Sequence, residues 1–273
     1  ALAIDPDDAP VQAQFGTLAM YQNDLPAAAR YFERALALDP TDLDVLRYST
    51  RLLQSFGCLP PAIAIDEYVL ARDPVNPVAL RNLGINYLYA GGYDEAIAKI
   101  HVLLSLSPGF GSAHYLLGEA LLLKGDAPGG LAQMQQETNE GWRRIGLPLA
   151  YCALGRKADA DAAFAALIAR YAKDAPYNIA TDYATCGEAD QAFAWLDKAV
   201  AYQDPGLSGI VAEILFDKIR HDPRWLPFLR KIGYAPEQLA KIQFTVTLPD
   251  AADATGEASS SPIETSTATA TST

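Results

Sequence analysis

Apolar positions along the chain fall into short helical stripes separated by turn residues. In "NLGINYLYAGGYDEAIAKIHVLLSLSP", residues 82–108, Leu83, Tyr87 and Leu88 recur at helical spacing. Gly91-Gly92 then interrupt the pattern, and Ala96, Ile100, Leu103 and Leu104 resume it before Pro108 ends it. This predicts two amphipathic helices joined by a glycine turn. Gly84 and Ala96 would let the two helices pack at close range. Such a hairpin cannot cover its own apolar faces, so neighbours of the same kind are required.

The neighbours are found at a fixed step. Pro6, Pro40, Pro74 and Pro108 each lie 34 residues apart, and Gly84 and Gly118 share that step, as do Ala28, Ala62 and Ala96; Gly16 lies two steps before Gly84. Self-similarity at this period, built from helix, turn and helix, marks a repeat array. The prolines forbid continuation of each second helix. A glycine inside a helix costs about 1 kcal/mol relative to alanine, which closer packing must offset.

The pattern resembles that of the tetratricopeptide repeat family. Leu83, Gly84 and Tyr87 match its first-helix motif; Ala28, Phe32, Ala35 and Pro40 match its second. The resemblance implies an all-α fold, a right-handed superhelix of about six helix-turn-helix repeats. Repeats are expected at about 9–42, 43–76, 77–110 and 111–140. In the fourth, Gly129-Gly130 stand where alanine is expected, predicting a short or kinked helix. A fifth unit runs through Tyr151, Ala160 and Phe164, and a sixth through Tyr183, Gly187, Ala192 and Ala199, to about residue 206. Residues 1–8 read as the end of a truncated preceding repeat, since "ALAIDP" matches "ALALDP" at 35–40. The chain is therefore expected to be a piece of a longer protein. Residues 207–244, with Trp225, Leu226, Phe228 and Leu229 on one stripe ending at Gly233, read as a helical cap over the last repeat. From 245 to 273 the chain turns Ala-, Ser- and Thr-rich, predicting a disordered tail. The cap sequence "DPRWLPFLRKIG" resembles the C-terminal ends of large bacterial regulators, in which such repeats follow a signalling domain.

Composition narrows the function classes. The 273 residues are 50% hydrophobic and carry a formal net charge of −12, which argues against non-specific binding to nucleic acid or anionic lipid. No apolar run is long enough to span a membrane. Cys58, Cys152 and Cys186 are odd in number and far apart, and read as free thiols. Reduced thiols favour the cytoplasm; the alternative is the periplasm, should a transmembrane helix precede the chain. No phosphate loop, HExxH or GxSxG occurs, and His101, His114 and His221 are scattered, so neither catalysis nor a cofactor or metal is signalled. Asp42, Asp44, Asp94 and Glu95 fall near helix starts, where the helix dipole favours them. Tyr31, Phe32, Tyr87, Tyr151, Phe164 and Tyr183 are assigned to the repeat core, and Trp142 to an irregular junction.

One constellation stands apart. In this repeat class the first helices line a concave groove, and their outer face carries Arg47, Tyr48 and Arg51, then Arg81, Asn82 and Tyr89, then Tyr115 and Glu119. Arg81 follows Arg47 by one period and Tyr115 continues the row. Guanidinium groups suit carboxylates in two-pronged geometry, and tyrosines suit apolar peptide side chains. Arg47, Arg51 and Asn82 resemble the carboxylate-clamp subset of the family, which grips the C-terminal carboxylate of a chaperone. Ser112 and Leu116 stand where that subset has further basic residues, which argues against a chaperone tail. Alternatively the arginines pair internally with Asp44, Asp66 or Glu67. The expected function is a scaffold binding a protein or peptide, acidic in character, in the groove; the alternative is self-association that controls an upstream domain.

Overall fold

A computed structural model describes residues 8–249. Among these, every regular element is helical. Six antiparallel pairs follow one another: α1 (Ala9–Tyr21) with α2 (Leu25–Leu38), α3 (Leu43–Ser55) with α4 (Leu59–Arg72), and α5 (Pro77–Tyr89) with α6 (Tyr93–Leu106). The second three are α7 (Ala113–Leu123) with α8 (Ala127–Gln136), α9 (Glu140–Ala153) with α10 (Lys157–Tyr171), and α11 (Pro176–Thr185) with α12 (Ala189–Ala201). Two 3-10 turns, Pro205–Gly209 and Ile214–Ile219, lead to α13 (Trp225–Ile232) and α14 (Pro236–Leu239). No described helix is long and apolar enough to cross a membrane.

Local chemistry sets these boundaries. Asp8, Asp24, Asp42, Asn76, Asp126 and Asn139 each accept a backbone N–H from the first turn of the helix they precede. Inside the pairs the turn needs one residue with positive φ. Asn23 supplies it in the first pair and Gly57, Gly91, Gly125, Gly155 and Gly187 in the rest, which is where glycine costs least.

Small residues decide how closely the helices approach. A Cβ added at Gly16 would stand 2.9 Å from the Phe32 ring, and one at Gly84 would stand 3.0 Å from Ile100. At Gly118 it would meet the Gly130 carbonyl at 2.9 Å, so α7 and α8 touch backbone to backbone. This explains Gly130 in place of alanine: its own Cβ would stand 2.6 Å from Leu122. As expected of this pair, α8 is short, with ten residues against fourteen in α6.

Three expectations need correction. Cys152 and Cys186 are not free thiols but a disulfide joining α9 to the end of α11; Cys58 alone is free. With it goes the argument for a reducing compartment. Tyr31 is exposed rather than core, its ring beside Phe15 at 5.5 Å. The expected tail boundary at 245 also fails: Val246 is buried and Leu248 packs against the core. Residues 1–7 and 250–273, where the truncated repeat and most of the tail were placed, lie outside the described residues.

The chain after α12 does more than cover the last pair. The first 3-10 turn packs on α1, α3 and α11, and the second on α11. Ile214 reaches the small cluster of Leu88, Ala96 and Ala120, and Val211 sits over Gly57. Beyond α14 the chain runs to the first units, where Phe244 lies 6.4 Å from Phe32 and 6.5 Å from Phe56, ring centre to ring centre. The Tyr234 hydroxyl donates to Asn23 Oδ1 at 3.2 Å. The segment is a strap from the sixth pair back to the first.

Candidate functional site

The strap turns the concave groove into a cavity of about 380 Å³. Its walls come from first helices: Tyr21 on α1, Arg51 and Gln54 on α3, Arg81, Asn82 and Tyr89 on α5, Tyr115 and Glu119 on α7, Trp142 on α9 and Tyr177 on α11. Its roof is the strap, through Asp204, Gly206, Ser208 and Glu213. Residues one period apart meet here because successive first helices lie side by side. That is why Arg51, Ile85 and Glu119 form one row.

Six of the eight residues expected in the groove line this cavity: Arg51, Arg81, Asn82, Tyr89, Tyr115 and Glu119. Arg47 and Tyr48 stand outside it. Arg47 donates to Asp44 at 2.8 Å and lies over the Tyr48 ring at 4.3 Å, so the internal-pairing alternative holds for this arginine. Asp66 and Glu67 take other partners, Asn86 and the Tyr87 hydroxyl.

At one end of the cavity sit two cations. Arg51 donates to the Tyr21 hydroxyl at 3.3 Å, its guanidinium 5.5 Å from that ring. Arg81 is partly buried and donates Nε–H to Ser112 Oγ at 3.2 Å. Burial and the neighbouring Arg51 push its pKa down, yet a guanidinium stays charged at any physiological pH. Among the described residues no carboxylate lies within ion-pair distance of either.

The other end is acidic and aromatic. Tyr89 donates its hydroxyl to Glu213 Oε2 at 2.8 Å, fastening the third unit to the strap. Glu119 is buried beside Tyr115, whose ring centre lies 5.1 Å from that of Trp142. Burial, and then the nearby Glu213 carboxyl, push the Glu119 pKa well up. Asp182 on α11 is fully buried with no hydrogen-bond partner on either oxygen; burial, Glu119 and Glu213 all raise its pKa. Tyr177 has its N–H on Asp204 Oδ2 at 3.0 Å, while its buried hydroxyl has no partner among the described residues. Burial raises Asp204 too.

Tyr177, Asp182, Asp204 and Glu213 were missed by sequence reasoning. Asp182 offered a faint signal as the one carboxylate in "PYNIATDYAT". Glu213 offered none, because the strap carries no repeat period.

Residues 14–77 and 81–139 match the tetratricopeptide repeat family. Residues 14–139 carry tetratricopeptide repeats. No curated protein matches it in sequence. Among solved structures it resembles a thermophilic tetratricopeptide repeat protein of Thermus thermophilus, with a TM-score of 0.57 at 20% identity over 70% of this chain and 99% of that one. It also resembles the type IV pilus biogenesis factor PilW, with a TM-score of 0.54 at 20% identity over 61% of this chain and 80% of that one. These likenesses show the fold. A tetratricopeptide repeat fold is consistent with a protein-interaction scaffold.

Proposed function

We propose that this protein holds a segment of a partner protein in its roofed cavity, with an acidic group of that segment on Arg51 and Arg81. The observation that carries the reading is the pair itself: two adjacent guanidiniums face a cavity and neither has a carboxylate at ion-pair distance among the described residues. Like charges held close in a partly desolvated wall repel, and an incoming carboxylate relieves that repulsion while taking two-pronged hydrogen bonds. Tyr21, beside Arg51, and Tyr89 offer flat apolar surface to the flanking residues of such a segment.

Acidic peptides should therefore bind more tightly at low salt, since partly exposed pairs are screened as ionic strength rises. Arg51→Glu with Arg81→Glu should weaken the complex with a native partner at least tenfold, measured by calorimetry, while helicity is retained. A double variant that folds and binds that partner unchanged would sink the proposal.

A further inference from the structure

Among the described residues the acidic end of the cavity has no cation of its own. Glu119, Asp182 and Glu213 have no lysine, arginine or histidine within ion-pair distance among the described residues. Arg220 is the cation whose charge reaches Glu213, but its guanidinium is committed to Asp217 and to the Val211 and Glu213 carbonyls. An independent sign that something is to be bound is the Tyr177 hydroxyl, which is buried, without a partner among the described residues, and belongs to a residue lining the cavity.

We infer that this end is an ammonium pocket, which takes the lysine side chain of the same partner segment whose acidic group reaches Arg51 and Arg81. The inference rests on the proposed groove binding and specifies its ligand as dipolar. An ammonium has three donors and no acceptor, and Glu119, Glu213 and the Tyr177 hydroxyl supply three acceptors. The rings of Tyr115 and Trp142 add faces that attract a cation. The net charge of −12 draws a basic group inward, just as the arginine pair draws an acidic one. The backbone positions of Arg81 and of Tyr89, whose hydroxyl meets Glu213, are eight residues apart on α5, about 12 Å along its axis. An extended segment covers that in about four residues.

Burial favours the neutral form of these carboxyls, so entry of an ammonium is coupled to loss of protons. The groups facing Glu119 and Glu213 are Tyr89 of α5, Tyr115 of α7, Tyr177 and Asp182 of α11, and Asp217 and Arg220 of the strap. Apart from Arg220, each of these is neutral or anionic, so protons leave on binding.

The test uses the full chain and two pools of capped peptides, Lys-X-X-X-Glu and Glu-X-X-X-Lys with mixed X, followed by calorimetry. Acetylating the lysine should weaken binding at least tenfold, and so should replacing the glutamate by glutamine. Calorimetry in buffers of different ionisation heat should report net proton release. Glu119→Gln and Tyr177→Phe, each checked for an unchanged melting temperature, should abolish the preference for free over acetylated lysine and still bind the acidic residue. If acetylation changes nothing while the glutamate still matters, the ammonium pocket is wrong and the arginine reading stands. If the glutamate does not matter but the lysine does, the arginine reading is wrong. Cadaverine alone binding as tightly as the peptides, or neither pool binding at millimolar concentration, would overturn the dipolar ligand altogether.

Discussion

Asp66 shows how much a single side chain can carry in this fold. It is fully buried on α4, with one oxygen accepting from Asn86 Nδ2 at 2.7 Å and the other without a partner. Burial, opposed by that hydrogen bond and by distant Arg47, lifts its pKa from 3.8 to about 8. The native state thus holds a proton that the unfolded chain releases near pH 4. Stability is full below that value, falls as pH rises to about 8, and levels off above it. Asp66→Asn keeps the bond to Asn86 and removes the titration. In urea melts the variant should gain on the parent between pH 5 and pH 9; an equal slope in both would mean Asp66 is ionised in the fold. Asn86 accepts in turn from Gln54 Nε2 at 2.7 Å, and Gln54 lines the cavity. The period placed Arg51, Arg81, Tyr89, Tyr115 and Glu119 on the concave side, because position within a repeat sets which face a residue occupies. It could not show that Arg47 turns back to Asp44, since that choice depends on rotamers and not on register.

Between helices, the same period holds a lesson in what was overlooked. Cys152 and Cys186 are 34 residues apart, the spacing of the prolines, and residues so spaced on adjacent first helices are neighbours. The slip after α8, where Gly125 and Gly155 are separated by 30 residues, hid this correspondence. The disulfide closes a 34-residue loop, and the chain-entropy account gives about 3–4 kcal/mol for that. Cys152→Ser with Cys186→Ser should lower the unfolding free energy by up to that amount, and a thiol reductant should reproduce the loss in the parent but not in the variant. Equal melting temperatures with and without reductant would show that the two sulfurs are not joined in solution. Helix pairs themselves were legible, down to the small residues at 16, 84 and 118, because close approach of the paired helices favours glycine there.

Over the whole molecule, the strap was the least legible part. Its two 3-10 turns have neither the 3.6-residue stripe nor the repeat motif, and its contacts reach units far away in sequence. Phe244 buries its ring against the first two units, and Phe244→Ala should cost about 3 kcal/mol. Hydrogen exchange should then quicken in α2 and α3, not only near the substitution; a loss confined to the last helices would mean the strap stabilises only its own end. Open repeat arrays are nearly one-dimensional, each unit sensing only its neighbours. Here the sixth pair, the roof and the first pair form a closed circuit. Under mechanical load that circuit has a clasp. Pulling the two ends of the chain apart in an optical trap should first break the contacts of Phe244 and Tyr234 with the first two units, giving one large opening event, after which the helix pairs should peel in small, separate steps.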